Sequence, residues 1–307
     1  MRAWPDGKRF AFTIFDDTDF ATVATVAPVY RFLRDLGMRT TKSVWPRRGA
    51  GRPICEGETC DEPAYRAWIQ ALQRDGFEIG YHMSTFHTSR REETIAGLDA
   101  FEALVGRPPA VMANHVGCRE NLYWGSDRLN GVNRLVYDVA TGFKRRRSSA
   151  GHVEGDPHFW GDICRSRITY VRNFVFPEMN TLGVCPFMPY HDPQRPYVNY
   201  WFASAEGANV QSFARCITEA AQEQLEAEGG ACIMYAHLAN GFYDGGALQP
   251  RFRELMTRLA ARNGWFVPVS TLLDDLRAGN GGHIATDGER SRLERHWLWH
   301  KLAGGTS

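Results

Sequence analysis

Bulky apolar residues crowd into seven or eight short runs along the chain, separated by stretches in which they recur every three or four positions. Residues 9 to 15 (RFAFTIF), 38 to 45 (MRTTKSVW), 77 to 81 (FEIGY), 110 to 114 (AVMAN), 167 to 176 (RITYVRNFVF), 198 to 204 (VNYWFAS) and 231 to 237 (ACIMYAH) read as strands, with WFVPV (265 to 269) as an eighth. Helical spacing predicts helices over 21 to 36, 62 to 76, 209 to 228, 250 to 263 and 270 to 277. Pro28 bends or delays the first, and Gly37 stops it. In the second, Tyr65, Trp68, Ile69 and Leu72 share a face. Ser89 and Glu92 form a capping box for another helix, striped by Ile95, Leu98, Phe101 and Leu104.

Strand and helix alternate with no interdomain linker, which predicts parallel strands joined by crossover helices. The fold class expected is α/β, a single domain, and a closed or nearly closed barrel is favoured over an open sheet. Residues 116 to 166 break the rhythm; a long aromatic stretch of this kind inside a compact domain is a candidate functional loop. Residues 1 to 278 are expected to form the barrel. Residues 279 to 307 are expected to be a polar linker followed by an amphipathic helix, LERHWLWHKL.

Composition narrows the function. The 307 residues carry 36 Lys and Arg against 35 Asp and Glu, so nothing favours nucleic acid or an anionic membrane as partner. The one basic block, KRRRSS (144 to 149), is either a solvated loop or a dock for an anionic substrate or partner. The seven cysteines are scattered, with no CxxC pair, and are expected to be reduced in a cytoplasmic protein. The first residues lack the apolar core of a signal peptide, and no apolar run is long enough for a membrane span.

Active sites of parallel α/β folds collect at the C-terminal ends of strands. Here those ends carry Asp16 and Asp17, His82 with His87 beyond it, Asn114 and His115, and His237. His82 and His87 converge only if the chain turns between them. With Asp17 they would form a two-histidine, one-carboxylate set of the kind that holds catalytic zinc or iron; otherwise they are exposed loop residues. Of two adjacent acids, one can ligate a cation while the other stays free to act as a base.

WPDGKRFAFTIFDD, EIGYHMSTFH and YAHL, in that order, resemble three motifs of the polysaccharide deacetylase family (carbohydrate esterase family 4 and relatives) over residues 4 to 277. The resemblance implies a distorted (β/α)7-type barrel. It also implies metal-assisted hydrolysis of an N-acetyl or related acyl group. On the matching positions, Asp16 is the base, Asp17, His82 and His87 hold the metal, and His237 is the general acid. The ligand set suits zinc, iron, cobalt or nickel. Three departures stand out. Thr18 occupies the usual glycine position, the two histidines are separated by four residues rather than three, and ANHVGCRENLYWG replaces the third motif. Asn114 and His115 are expected to line the site there.

Arg172, in an apolar strand, is expected either to reach the site or to form a structural ion pair. Trp160 and Asp162 either cover the pocket or belong to a packed loop, as do His191 and Asp192. Asp19 is expected to cap the first helix. His296 and His300, one helical turn apart and interleaved with Trp297 and Trp299, are expected to serve docking or homo-oligomerisation rather than metal binding. The expected substrate is a small or activated sugar, such as an envelope-glycan precursor. The alternatives are hydrolysis of a non-sugar C–N amide bond and a binding domain with a degenerate site.

Overall fold

The computed structural model describes residues 3 to 53, 55 to 145 and 148 to 304. Seven parallel strands follow one another around a barrel in sequence order: β1 (Phe10–Asp16), β2 (Thr41–Val44), β3 (Glu78–Tyr81), β4 (Val111–Met112), β5 (Tyr170–Phe176), β6 (Tyr200–Ala205) and β7 (Ala231–Ala236). Pairing of β1 with β7, from Ala11↔Ala231 to Asp16↔Ala236, closes it. Every residue of β1 and of β7 is buried, as strands covered on both faces by helices and interior must be. The α/β single-domain barrel expected from the sequence is the fold found.

The barrel is distorted at its base. β2 pairs only with the upper end of β1, Phe15↔Thr41 and Asp16↔Lys42. Below it, two later residues fill the gap as a short strand against Phe10 and Ala11. They follow a two-residue hairpin pair, β8 (Tyr243–Asp244) and β9 (Ala247–Leu248), and so form β10 (Gly264–Trp265). A Cβ on Gly264 would stand 2.5 Å from the Phe266 ring and 2.6 Å from that of Phe10. The expected eighth strand stops early because Pro268 precedes the next helix.

Outside the barrel lie α1 (Val23–Asp35), α2 (Pro63–Arg74), α3 (Arg91–Val105), α4 (Gly131–Ala140), α5 (Gly161–Arg167), α6 (Thr181–Val184), α7 (Val210–Cys216), α8 (Glu219–Glu228), α9 (Pro250–Ala260), α10 (Val269–Asn280) and α11 (Asp287–Gly304). α1 carries Pro28 within it and buries Val26, Val29, Tyr30 and Leu33. The single helix expected over 209 to 228 is split into α7 and α8. Thr218 interrupts it, its hydroxyl accepting a hydrogen bond from Ala221 N and so capping α8. The described residues of the stretch 116 to 166 contribute α4, most of α5 and a 3-10 turn, Gly125–Arg128.

α11 packs back on the barrel. Trp297 is buried against Tyr137 and Phe174, with ring centroids 5.6 and 5.7 Å away, whereas Trp299 faces solvent. Half of the aromatic face expected for docking is therefore spent within the chain. Among the described residues no helix is long and apolar enough to cross a membrane.

Candidate active site

Successive residues of a strand point to opposite sides, and this separates the two acids at the end of β1. Asp16 turns away from the barrel interior. Its carboxylate forms an ion pair with Lys42 Nζ at 3.0 Å, accepts hydrogen bonds from Tyr30 Oη at 3.0 Å and Leu238 N at 2.8 Å, and has no solvent exposure. Burial raises its pKa, opposed by the Lys42 charge. Asp16 is absent from the cavity lining, so the carboxylate expected to be the base has no contact with the space a substrate would occupy.

Asp17 faces the interior. Arg172 of β5 grips it with both arms, Nη1 donating to Oδ1 at 2.8 Å and Nη2 to Oδ2 at 2.5 Å. Burial works to raise the Asp17 pKa, and the Arg172 guanidinium overrides it, so the carboxyl stays below its ordinary value. Arg172 in turn lies over the ring of Tyr235, 4.3 Å from the centroid. The buried arginine has found its partner in Asp17.

Asp19 holds the centre. The backbone curls after Asp17, with Ala21 N bonded to Thr18 O and Phe20 in the left-handed region at φ 61°. The curl brings the Asp19 carboxylate back over the barrel mouth. Its Oδ1 lies 3.1 Å from His82 Nε2 and 3.4 Å from His115 Nε2, and its Oδ2 lies 3.3 Å from His237 Nε2. Burial raises its pKa, but hydrogen bonds from His237 and His82 hold it well below the ordinary value. The helix cap expected of Asp19 is supplied instead by Thr22, whose hydroxyl accepts from Thr25 N.

The three imidazoles come from the ends of β3, β4 and β7. His115 is pushed by burial down to about 4 and is neutral. Its Nε2 is 3.3 Å from Cys55 Sγ and its Nδ1 is 3.3 Å from Cys118 Sγ. His237 donates from Nδ1 to Ala208 O at 2.9 Å. Burial favours its neutral form, but the hydrogen bond and charge of Asp19 outweigh that and raise its pKa to about 9. Trp45 stacks on His82 with centroids 6.2 Å apart and sets its face to the edge of His115 at 5.3 Å.

His87 is not part of this group. Its Nε2 accepts from Gly51 N at 3.0 Å and its Nδ1 is bonded to Thr88 O at 2.8 Å, so both ring nitrogens are occupied. Met83, at φ 67°, and the packed ring of Phe86 carry the chain away from the mouth. The metal trio expected from the sequence is therefore not assembled. Asp19, Cys55 and His115 instead offer ligand atoms within 4.8 Å of one another. Carboxylate, thiol and imidazole are all zinc ligands, and two donors on one tetrahedral ion with bonds near 2 Å stand roughly 3.3 Å apart. The observed separations of 3.3 and 3.4 Å about His115 fit such an ion. The D-x-D spacing of Asp17 and Asp19 is the one sequence signal that pointed to Asp19; Cys55 had none.

From this cluster a cavity of about 500 Å³ opens outward, with Trp124, Arg128, Tyr137 and Trp297 in its wall. Asn114 lines it, but its amide is spent clamping the backbone of Leu122, at 2.9 and 3.0 Å. Trp160 and Asp162 do not. Trp160 is fully buried and donates to Glu120 O, and Asp162 makes a two-pronged pair with Arg91 on the surface. Asp192 is buried between Arg195 and Arg290. Of the basic block, Arg145 reaches the cavity, while Arg146 and Arg147 lie outside the described residues. His296 and His300 lie outside the cavity lining, their Nε2 atoms 2.9 and 3.5 Å from Glu178 Oε1.

No protein-family profile matches the chain, and no curated protein matches it in sequence. Solved structures match it in fold. One is a Mycobacterium smegmatis protein described as a polysaccharide deacetylase, with a TM-score of 0.51 at 14% identity over 91% of this chain and 93% of that one. Another is the Puue allantoinase, with a TM-score of 0.50 at 12% identity over 90% and 92%. At these identities the likeness is one of fold, and it is the fold that the sequence motifs implied.

Proposed function

We propose that the protein is a divalent-metal-dependent hydrolase that removes an N-acetyl or related acyl group from a sugar-containing substrate. One observation carries the reading: a single buried carboxylate, Asp19, stands within 3.1 to 3.4 Å of three imidazoles at the barrel mouth, at the foot of a cavity large enough for a sugar. The ion, zinc first, is held by Asp19, Cys55 and His115, with His82 fixing the Asp19 carboxylate from the side. When bound, it supplies Lewis acidity toward the acyl carbonyl and toward water.

The chain's own groups supply the proton transfers. Asp17, kept ionised by Arg172 and facing the cavity, takes a proton from the attacking water. The water oxygen bonds to the acyl carbon, the C–N bond breaks, and protonated His237 gives its proton to the leaving nitrogen. Asp16 and Lys42 serve the fold. The reading includes a cytoplasmic location and an intracellular glycan precursor as substrate, supported by seven cysteines free of disulfides.

The test is metal analysis together with amine release. It is best run in a His296→Ala background, because Glu178, His296 and His300 also offer ligand atoms within 4.8 Å of one another. Asp19→Asn and His115→Ala are expected to lose the ion and the activity, and His87→Ala to keep both. Full metal content in Asp19→Asn would sink the assignment. A second reading, hydrolysis of a non-sugar amide, is favoured by the largely aromatic wall of Trp124, Tyr137 and Trp297. Amine release from N-acetyl sugars against simple N-acetyl amides decides between them.

A further inference from the structure

The cavity wall contains a cation, Arg128, without a counter-charge among the described residues. Arg128 is 3% exposed, and its Nε and Nη2 have no hydrogen-bond partner. The other deeply buried arginines near the barrel mouth are matched: Arg172 by Asp17, Arg195 by Asp192 and Glu294, Arg290 by Asp192. Among the described residues no carboxylate bears on Arg128 in this way. Burial depresses its pKa to about 9, with like charge from Arg172 and Arg195 adding to the effect.

What does hold it is aromatic. Its guanidinium carbon lies 3.5 Å from the Trp124 ring centroid and 5.2 Å from that of Trp297. Cation–π contact engages the flat faces of a guanidinium. It leaves the N–H donors, which lie in the plane and point outward from the edge, unmet. An oxyanion approaching edge-on satisfies those donors, with two parallel charge-assisted hydrogen bonds. A buried cation is otherwise a net cost to the fold, so the position has a functional rather than a stabilising logic. Arg145 and Lys301 line the same cavity, which is thus acidic and imidazole-rich at the barrel mouth and basic toward Arg128.

We propose that the molecule bound in this cavity carries an oxyanion, a carboxylate or a phosphate, which Arg128 binds edge-on while the scissile group lies at Asp19 and His237. The word substrate for that molecule rests on the hydrolase reading; the anion subsite does not. Arg128→Met and Arg128→Lys are compared with the wild type in two assays. In the first, thermal melting is followed with inorganic phosphate or acetate at constant ionic strength. In the second, calorimetry compares N-acetylglucosamine with its 6-phosphate and with N-acetylmuramic acid, which carries a carboxylate.

The expected result is that at least one anion raises the wild-type melting temperature. The matching anionic sugar should also bind at least about tenfold more tightly than the neutral one, the phosphate and carboxylate arms showing which oxyanion is taken. Arg128→Met should lose that preference to within about twofold, and Arg128→Lys should keep part of it, as a charge without a fork. The ligand-free Arg128→Met protein should melt no lower than wild type. Absence of anion preference in the wild type overturns the subsite, and so does its persistence in Arg128→Met. The wild-type comparison decides even if a variant does not fold. Amine release is scored separately. Anion preference without hydrolysis of any amide would remove the hydrolase reading and leave the subsite, and hydrolysis without anion preference would do the reverse.

Discussion

Asp16, at the end of β1, and Lys42, on β2, form a buried charge pair away from the cavity lining. Both side chains are fully buried and 3.0 Å apart. Removing one partner of such a pair leaves an uncompensated charge and costs about 3–5 kcal/mol. Lys42→Met is therefore expected to lower unfolding free energy by about that much in urea titrations, and the double variant Asp16→Leu, Lys42→Met to cost less than Lys42→Met alone. Glu120 gives a second residue-scale prediction. Burial raises its pKa from 4.5 to about 7, so the folded protein keeps a proton that the unfolded chain has released between those values. This contribution to stability is fully present below about pH 4.5, falls as pH rises to about 7 and is flat above. Glu120→Gln should flatten that part of the stability profile, seen by melting at pH 4.5, 6 and 7.5. At this scale the sequence pointed to the strand ends that the fold gathers at the barrel mouth, but not to how their side chains divide. His82, His115 and His237 could be placed because strand ends are fixed by pattern, and Arg172 because a charge inside an apolar strand needs a partner. Asp19 and His87 could not, because a residue with positive φ turns the chain beside each, Phe20 directly after Asp19 and Met83 four positions before His87, and a bulky residue there gives no advance sign of the bend.

Elements were legible wherever period and caps agreed. All seven barrel strands fall within or one residue beyond the expected segments; α2 buries Tyr65, Ile69 and Leu72 of its predicted face, and α3 buries Leu98 and Phe101 of its stripe while Ile95 and Leu104 are half-buried. The Thr22 cap of α1 was misassigned to Asp19 because both residues are good caps and nothing local chooses between them. Thr22→Ala should cost about 1 kcal/mol in thermal melts. α3 approaches the barrel through Gly97, where a Cβ would stand 2.3 Å from Ser84 Oγ and 2.9 Å from its Cα. Gly97→Ala is a better helix former in isolation, yet here it should destabilise by about 1–3 kcal/mol through overpacking. A gain in stability would show that α3 is held less tightly against Ser84 than this. The stretch 116 to 166 was recognisable as an exception, but its content was not, because the cavity wall it forms depends on contacts with α11 far along the chain.

The whole molecule is a barrel with one wall of its cavity supplied by its last helix. Trp297 is 1% exposed, packs on Tyr137 and Phe174, and faces the same cavity as His237. Trp297→Ala should cost about 3–5 kcal/mol and also weaken ligand binding, whereas Trp299→Ala, on the exposed side, should do neither. Calorimetry on the two variants separates them. A sequence read element by element treats the C-terminal helix as an appendage; in the folded chain its Trp297, Lys301 and Leu302 line the cavity.

Closure of the barrel also dictates when it can form. β1 is made first, yet the six-residue ladder that completes it, Ala11↔Ala231 to Asp16↔Ala236, joins residues 220 positions apart, 231 less 11. At a synthesis rate of about 5–20 residues per second the interval is roughly 10–40 s. Throughout it, FAFTIFD stands with one apolar edge unmatched, and so does the carboxylate whose neighbours arrive on β3, β4 and β7. Barrel closure, and with it the gathering of the Asp19 neighbours, therefore waits for β7 to be made.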